Sequence, residues 1–449
     1  MLKSRVLTIL LLLCWLFCGI VATLAGFSSF FYSWLWMVLL FPSGLFLLVA
    51  WRVLRQFFKL PRLEKLLFAL VFFILLLHFL QVFVPETGFD ALWYHLPLAQ
   101  LLSENHQFIY SPELYQSANP QFADSIFALG FVAAGGLGTK LVAFSFATTL
   151  LLVLYQVAQI FLGRTWSLFA VLAVSLFQVV SWQAGSFYID IAKAVFDLSA
   201  VWLVLESFFV SEQKNKQRYL LAAALVFSAS AASKAFSILL LPSIMFSLVL
   251  AVPKLRASML VIPILALVLL ALPFYLFSFQ NTGSLFFSTI VQADQLSVFE
   301  YVVRQVLRFP FFFINLFFTR DYTSPLLGLL PLAMYFLRKQ IWQNKQLQIL
   351  LFVTVNQLAI WWLVPPLSTR YGLAGFITGL ILVLVWLSQQ KQNRLLPLLV
   401  LVTLIFLLPR LVVAKRSLAY LLGGQTEFEY VKQFTDDNNA WLLDAWYHE

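Results

Sequence analysis

Apolar runs of about 20 residues, parted by short clusters of charge, recur along almost the whole chain. A run of that length is what an α-helix needs to cross a hydrocarbon core about 30 Å thick. The pattern predicts spans near 6–26, 30–51, 66–84, 138–161, 166–184, 192–210, 218–233, 236–252, 257–279, 324–338, 346–364, 371–388 and 395–412, about thirteen helices. The first run follows a basic start but is long and lacks an A-x-A cleavage site, so it reads as a retained span. Between the third and fourth spans, "NPQFADSIFALGFVAAGG" carries an apolar run too short to cross, which predicts a helix lying at the membrane interface.

Composition agrees with this all-α polytopic membrane architecture. Of 449 residues, 62% are hydrophobic and 11% charged, which excludes a soluble globular enzyme. The net charge of +10 is accounted for by topology and calls for no nucleic acid. With the N-terminus inside, 18 of the 29 Lys and Arg residues fall on cytoplasmic segments. Most acidic residues then fall on the other face, which is where the polar chemistry is expected. Cys14 and Cys18 both lie in the first apolar run, where a disulfide framework has nothing to build on. No internal repeat is visible.

Three groups of polar residues stand out on the extracytoplasmic side. In "ETGFDALWYHLPLAQLL", Asp90 and Tyr94 fall at helical spacing with His95 beside them, so a juxtamembrane helix would present a carboxylate, a phenol and an imidazole. The plainer alternative makes Asp90 an N-cap and Trp93 and Tyr94 interfacial belt residues. In "GSFYIDIAKAVFDLSA", Asp190 and Lys193 open the sixth span at a spacing suited to an ion pair, with Asp197 and Glu206 deeper in. Ionisable groups at that depth are costly and usually face a cavity or a partner. The third group is cationic against the positive-inside bias: Lys234, Arg304, Arg308, Arg320 and Arg370, the last followed by Tyr371. Arg forks and Lys point charges suit phosphate, and snorkelling to headgroups is the alternative. "GGLGTK" is not a phosphate-binding loop, because Thr139 interrupts the Gly-Lys pair, and the four histidines show no metal-ligand spacing.

In their order, and on one side of the membrane, these segments resemble the C-type (GT-C) glycosyltransferases, which include protein O-mannosyltransferases and lipid A aminoarabinose transferases. "FDALWYHLPLA" followed by "NPQFADSIFALGF" is similar to the first extracytoplasmic loop of the bacterial branch, and "YIDIAKAVF" to its second. "SKAFSILLLP" resembles the Thr-Lys segment, "NTGSLFF" the loop after a middle span, and "STRYGLAG" the Arg-Tyr entry to a late span. The resemblance covers about residues 66–388. It implies a GT-C-like bundle with extracytoplasmic juxtamembrane helices. Residues 1–65 would form two N-terminal spans and a basic loop, 66–412 the catalytic transmembrane domain, and 413–449 a short polar extracytoplasmic tail.

The resemblance further implies transfer of a sugar from a polyprenyl-phosphate-linked donor to a glycan, lipid or protein acceptor, with inversion, at the outer face of a bacterial cytoplasmic membrane. Asp90 would act as general base and Asp190 as the second catalytic carboxylate. Tyr94, His95, Lys193, Lys234, Arg304, Arg308, Arg370 and Tyr371 would bind substrate. Many relatives carry a second acid after the loop aspartate, where this chain has Ala91. A divalent cation held by Asp90 and Asp190 therefore stays an open question, and no cofactor is called for outright. The rival reading is a transporter or flippase for a lipid-linked glycan, with Asp190, Asp197 and Glu206 as a proton or cation path.

Overall fold

The computed structural model describes residues 2–251, 257–287, 298–319, 323–364, 368–390 and 395–434. Over these the chain is helical, with no strand. That is the expected response of an apolar chain out of water, since a helix satisfies its own backbone N–H and C=O groups. In chain order the first nine helices are α1 (Leu2–Phe27), α2 (Leu40–Phe57), α3 (Arg62–Leu80), α4 (Leu96–Asn105), α5 (Phe122–Phe161), α6 (Arg164–Ser175), α7 (Gln178–Gln183), α8 (Asp190–Glu206) and α9 (Gln213–Ser233).

Seven helices among the described residues are long and apolar enough to cross a membrane, and eight if the bent pair Ile264–Leu270 and Leu272–Thr282, at 52°, is one span. The apolar pattern predicts about thirteen. The difference falls on helices that are short or carry polar residues, such as α6 with 12 residues and α8 with 17. Every residue of α8 is buried. A helix enclosed by protein on all sides writes the same apolar run into the sequence as one enclosed by lipid, which is why pattern alone counts both.

The helix expected at the interface is enclosed by protein. Phe122 to Leu129 are each buried, and Phe122 packs edge-on against Phe196 of α8. The helical path of α5 then breaks at Ala134 and Gly135, where Gly135 takes φ 56° and supplies the left-handed backbone that a side chain disfavours. Residues 136–161 continue as a second helix. The last turns of α9, Ser228 to Ser233, are all Ser or Ala and all buried, so α8 and α9 approach closely, as small residues permit between membrane helices. At the end of the bundle that carries Asp90, the helix Glu427–Lys432 returns to pack Tyr430 and Val431 on Val84 and Leu92.

Candidate active site

The segment after α3 is fixed by a buried carboxylate. Glu86 Oε1 accepts from the Ser186 hydroxyl at 2.6 Å and from the Thr87 and Gly88 amides at 2.9 Å, and its Oε2 accepts from the Phe187 amide at 2.9 Å. Lys140, on α5, donates to the Val84 carbonyl at 2.6 Å. These contacts staple the approach to Asp90 onto the approach to Asp190. Hydrogen bonds to a charged group contribute about 1.5–3 kcal/mol each. Glu86→Ala, which deletes the four, is expected to cost at least about 3 kcal/mol, read as a lower thermal midpoint in detergent. A midpoint equal to the wild type would show that the staple does not hold the two loops.

Asp90 lies in a helical turn at the start of the π-helical segment Ala91–His95 and caps no helix: its backbone is right-handed helical and its side chain makes no capping bond. The capping alternative is therefore set aside. The Asp90 amide donates to the Tyr188 phenol oxygen at 3.1 Å, and the Tyr94 hydroxyl donates to Asp90 Oδ2 at 3.4 Å. Burial, with the Asp90 charge adding to it, pushes both phenols above their ordinary range, so each keeps its proton at neutral pH.

Four chain segments meet here. Arg370, in the turn Thr369–Gly372, donates from Nη1 to Asp90 Oδ2, and its Nε stands 3.9 Å from Asp190 Oδ2. Lys234, which ends α9, donates to Asp190 Oδ1, and Gln183 of α7 donates to Asp190 Oδ2 at 3.3 Å. The two carboxylates differ in access: the Asp90 side chain is 14% exposed and that of Asp190 0%. Tyr371 lies under both cations, 4.8 Å from Lys234 Nζ and 5.2 Å from the Arg370 guanidinium. Arg370 Nε is buried without a hydrogen-bond partner among the described residues, a donor aimed into the cluster.

The cluster thus brings together Asp90, Asp190, Tyr94, Lys234, Arg370 and Tyr371 from positions up to 280 residues apart. Four other expected residues stand elsewhere. His95 packs beside Tyr94 at 4.1 Å but is fully buried and bonded through Nδ1 to Asp124 at 2.6 Å, away from the ion pairs. Lys193 pairs with Asp197 at 2.6 Å, one turn deeper, instead of with Asp190. Arg304 and Arg308 are exposed and line, with Glu300, Val303 and Leu307, a shallow recess that includes none of the cluster. Arg320 lies outside the described residues. Glu86, Lys140, Tyr188, Gln183 and Asp124 escaped the sequence reading of the site, since their partners lie far along the chain or on backbone groups.

The donor set does not fit a divalent cation. No group of three or more His, Cys, Asp or Glu gathers among the described residues, and Asp90 and Asp190 are already neutralised by Arg370 and Lys234. Ala91 is fully buried where a second acid would stand. The acids of the rival transport path are likewise paired one by one: Asp190 with Lys234, Asp197 with Lys193, and Glu206 with Arg5 at 3.0 Å.

No protein-family model and no curated protein matches the chain. Among solved structures it is similar to ArnT from Cupriavidus metallidurans bound to undecaprenyl phosphate, at 13% identity and a TM-score of 0.53 over 79% of this chain and 64% of that one. Apo ArnT from the same organism matches at 13% identity and a TM-score of 0.50, over 82% of this chain and 67% of that one. The archaeal oligosaccharyltransferase AglB from Archaeoglobus fulgidus, in complex with an inhibitory peptide and a dolichol-phosphate, matches at 12% identity and a TM-score of 0.50, over 80% and 56%. At these identities the likeness is one of fold. The chain is an integral membrane protein with the GT-C fold, and it spans less than two thirds of the length of lipid-bound ArnT and of AglB.

Proposed function

We propose that the chain is a membrane glycosyltransferase that moves a sugar from a polyprenyl-phosphate carrier to an acceptor outside the cytoplasm, with inversion at the anomeric carbon. One observation carries this reading. In a GT-C fold, two cations, Lys234 and Arg370, are set against one enclosed and one accessible carboxylate where several helices end. The undecaprenyl phosphate of ArnT and the dolichol-phosphate of AglB support a lipid-linked phosphate as the ligand of those cations.

A carrier lipid reaches the cluster from the bilayer, and its phosphate takes the free Nε of Arg370 and the ammonium of Lys234. Drawing Arg370 onto the phosphate loosens its hold on Asp90 and frees Oδ2 to accept the acceptor's proton. The acceptor nucleophile attacks the anomeric carbon as Asp90 takes its proton. The bond from that carbon to the phosphate oxygen breaks, and polyprenyl phosphate leaves with the electron pair, its charge held by Lys234 and Arg370. Asp190, enclosed and paired with Lys234, aims the ammonium and takes no proton. Tyr94 steadies Asp90, and Tyr371 forms the floor beneath the cations. His95, Lys193, Arg304 and Arg308 have no contact with substrate in this mechanism. Residues 66–412 form the catalytic unit, at the outer face of a bacterial cytoplasmic membrane.

The test is turnover by the purified chain in liposomes given a panel of polyprenyl-phosphate sugars. Release of polyprenyl phosphate from at least one donor is expected. No release from any donor, together with no binding of undecaprenyl phosphate, would reject the reading.

A further inference from the structure

Two turns below Asp190 on the same helix, Asp197 is almost wholly enclosed yet accepts from three different elements. Lys193 Nζ of α8 donates to its Oδ2 at 2.6 Å, Ser230 of α9 to its Oδ1 at 2.5 Å, and Gln357 of the helix Lys345–Leu363 to its Oδ2 at 3.1 Å. These elements lead directly to the site. α8 begins with Asp190, α9 ends one turn after Ser230 at Lys234, and Gln357 packs against the segment that follows Arg370. That last approach is close enough that a Cβ on Gly375 would stand 2.5 Å from the Gln357 Cβ.

A second connection runs through aromatic faces. The ammonium of Lys193 lies 5.2 Å from the centre of the Phe236 ring and that of Lys234 lies 5.5 Å from the same ring. Phe236 in turn meets Tyr371 at 4.8 Å. The Asp197–Lys193 pair therefore reaches both cations of the site without touching the space a substrate would enter. An ionised pair held in the interior of a membrane bundle is costly, and an apolar replacement of similar volume would fill the same space.

We infer that Asp197 is a positioning residue: with Lys193, Ser230 and Gln357 it sets the separation between Lys234 and Arg370, and so tunes the site to one phosphate group. The inference rests on the phosphate role proposed above for those two cations. A proton path is not its role, because both carboxylate oxygens of Asp197 are committed to donors within the network.

Two variants of the full-length protein in phosphatidylcholine nanodiscs test this: Asp197→Asn, and the double variant Lys193→Met with Asp197→Leu, which removes both charges at similar volume. Hydrogen exchange of the ligand-free protein reads position, and binding of undecaprenyl phosphate reads consequence. Both variants are expected to fold and to exchange faster at residues 234–240 and 368–372 but not at 122–130. Both are expected to bind undecaprenyl phosphate about ten-fold more weakly or worse, as a displacement of about 1 Å at a positioned group can cost 100-fold. Unchanged exchange at both segments in the double variant would overturn the inference. So would a rise spread evenly over the bundle, which would make the network a general stabiliser. Faster exchange confined to the two segments, in a protein whose wild type binds no undecaprenyl phosphate, would uphold the positioning role and reject the phosphate reading.

Discussion

Asp90→Asn is expected to leave a folded protein whose sugar transfer is about 100- to 10,000-fold slower, the range for loss of a general base. Asn keeps the size of the side chain and its hydrogen bond to Tyr94 but cannot accept the acceptor's proton. The fold has little reason to fail. Asp90 caps no helix, and Arg370 retains Asp190 at 3.9 Å as a second counter-charge. Turnover from a polyprenyl-phosphate sugar, measured with the thermal midpoint, separates the outcomes. Near-normal turnover by a well-folded Asp90→Asn protein would remove the base assignment and return weight to a transport function.

The second large effect is expected at Arg370. Arg370→Ala removes a side chain that is bonded to Asp90 and also faces Asp190, leaving Lys234 as the one cation paired with either carboxylate among the described residues. Loss of a donor aimed at developing negative charge costs about 100- to 1,000-fold in turnover, and undecaprenyl phosphate binding should weaken with it. Arg370→Lys should fall between this variant and the wild type, because the charge remains while the fork that can grip a phosphate through two N–H groups is lost. Lys234→Ala should weaken binding in the same direction. Full binding in all three variants would move the phosphate elsewhere, with the exposed Arg304 and Arg308 the next place to look.

Much of this arrangement could be read from residue order, and its limits are physical. Asp90, Asp190, Lys234 and Arg370 were visible as charges in apolar surroundings, where an ionisable group needs a reason to be present. Their convergence was not visible, because a bond such as that of Arg370 to Asp90 closes across 280 residues. The rings of His95 and Tyr94, neighbours in sequence, pack 4.1 Å apart yet bond to different acids, Asp124 and Asp90, and no local period assigns those partners. Lys193 sits equally well placed on a helix for Asp190 or Asp197, and only the buried donors Ser230 and Gln357 reveal which acid it serves. Glu86 looked like one loop acid among several, since its role is to bind backbone amides that carry no sequence signature. The count of thirteen spans is not confirmed among the described residues for a similar reason: burial in protein and burial in lipid select the same side chains.

In the proposed mechanism a lipid phosphate takes Arg370 away from Asp90. The measurement that meets it most directly is a cryo-EM structure of the wild-type chain in nanodiscs with undecaprenyl phosphate. Phosphate density is expected between Lys234 and Arg370, with the guanidinium turned from Asp90 and the Asp90 carboxylate open to the acceptor side. Phosphate density at Arg304 and Arg308, with Arg370 still bonded to Asp90, would contradict it.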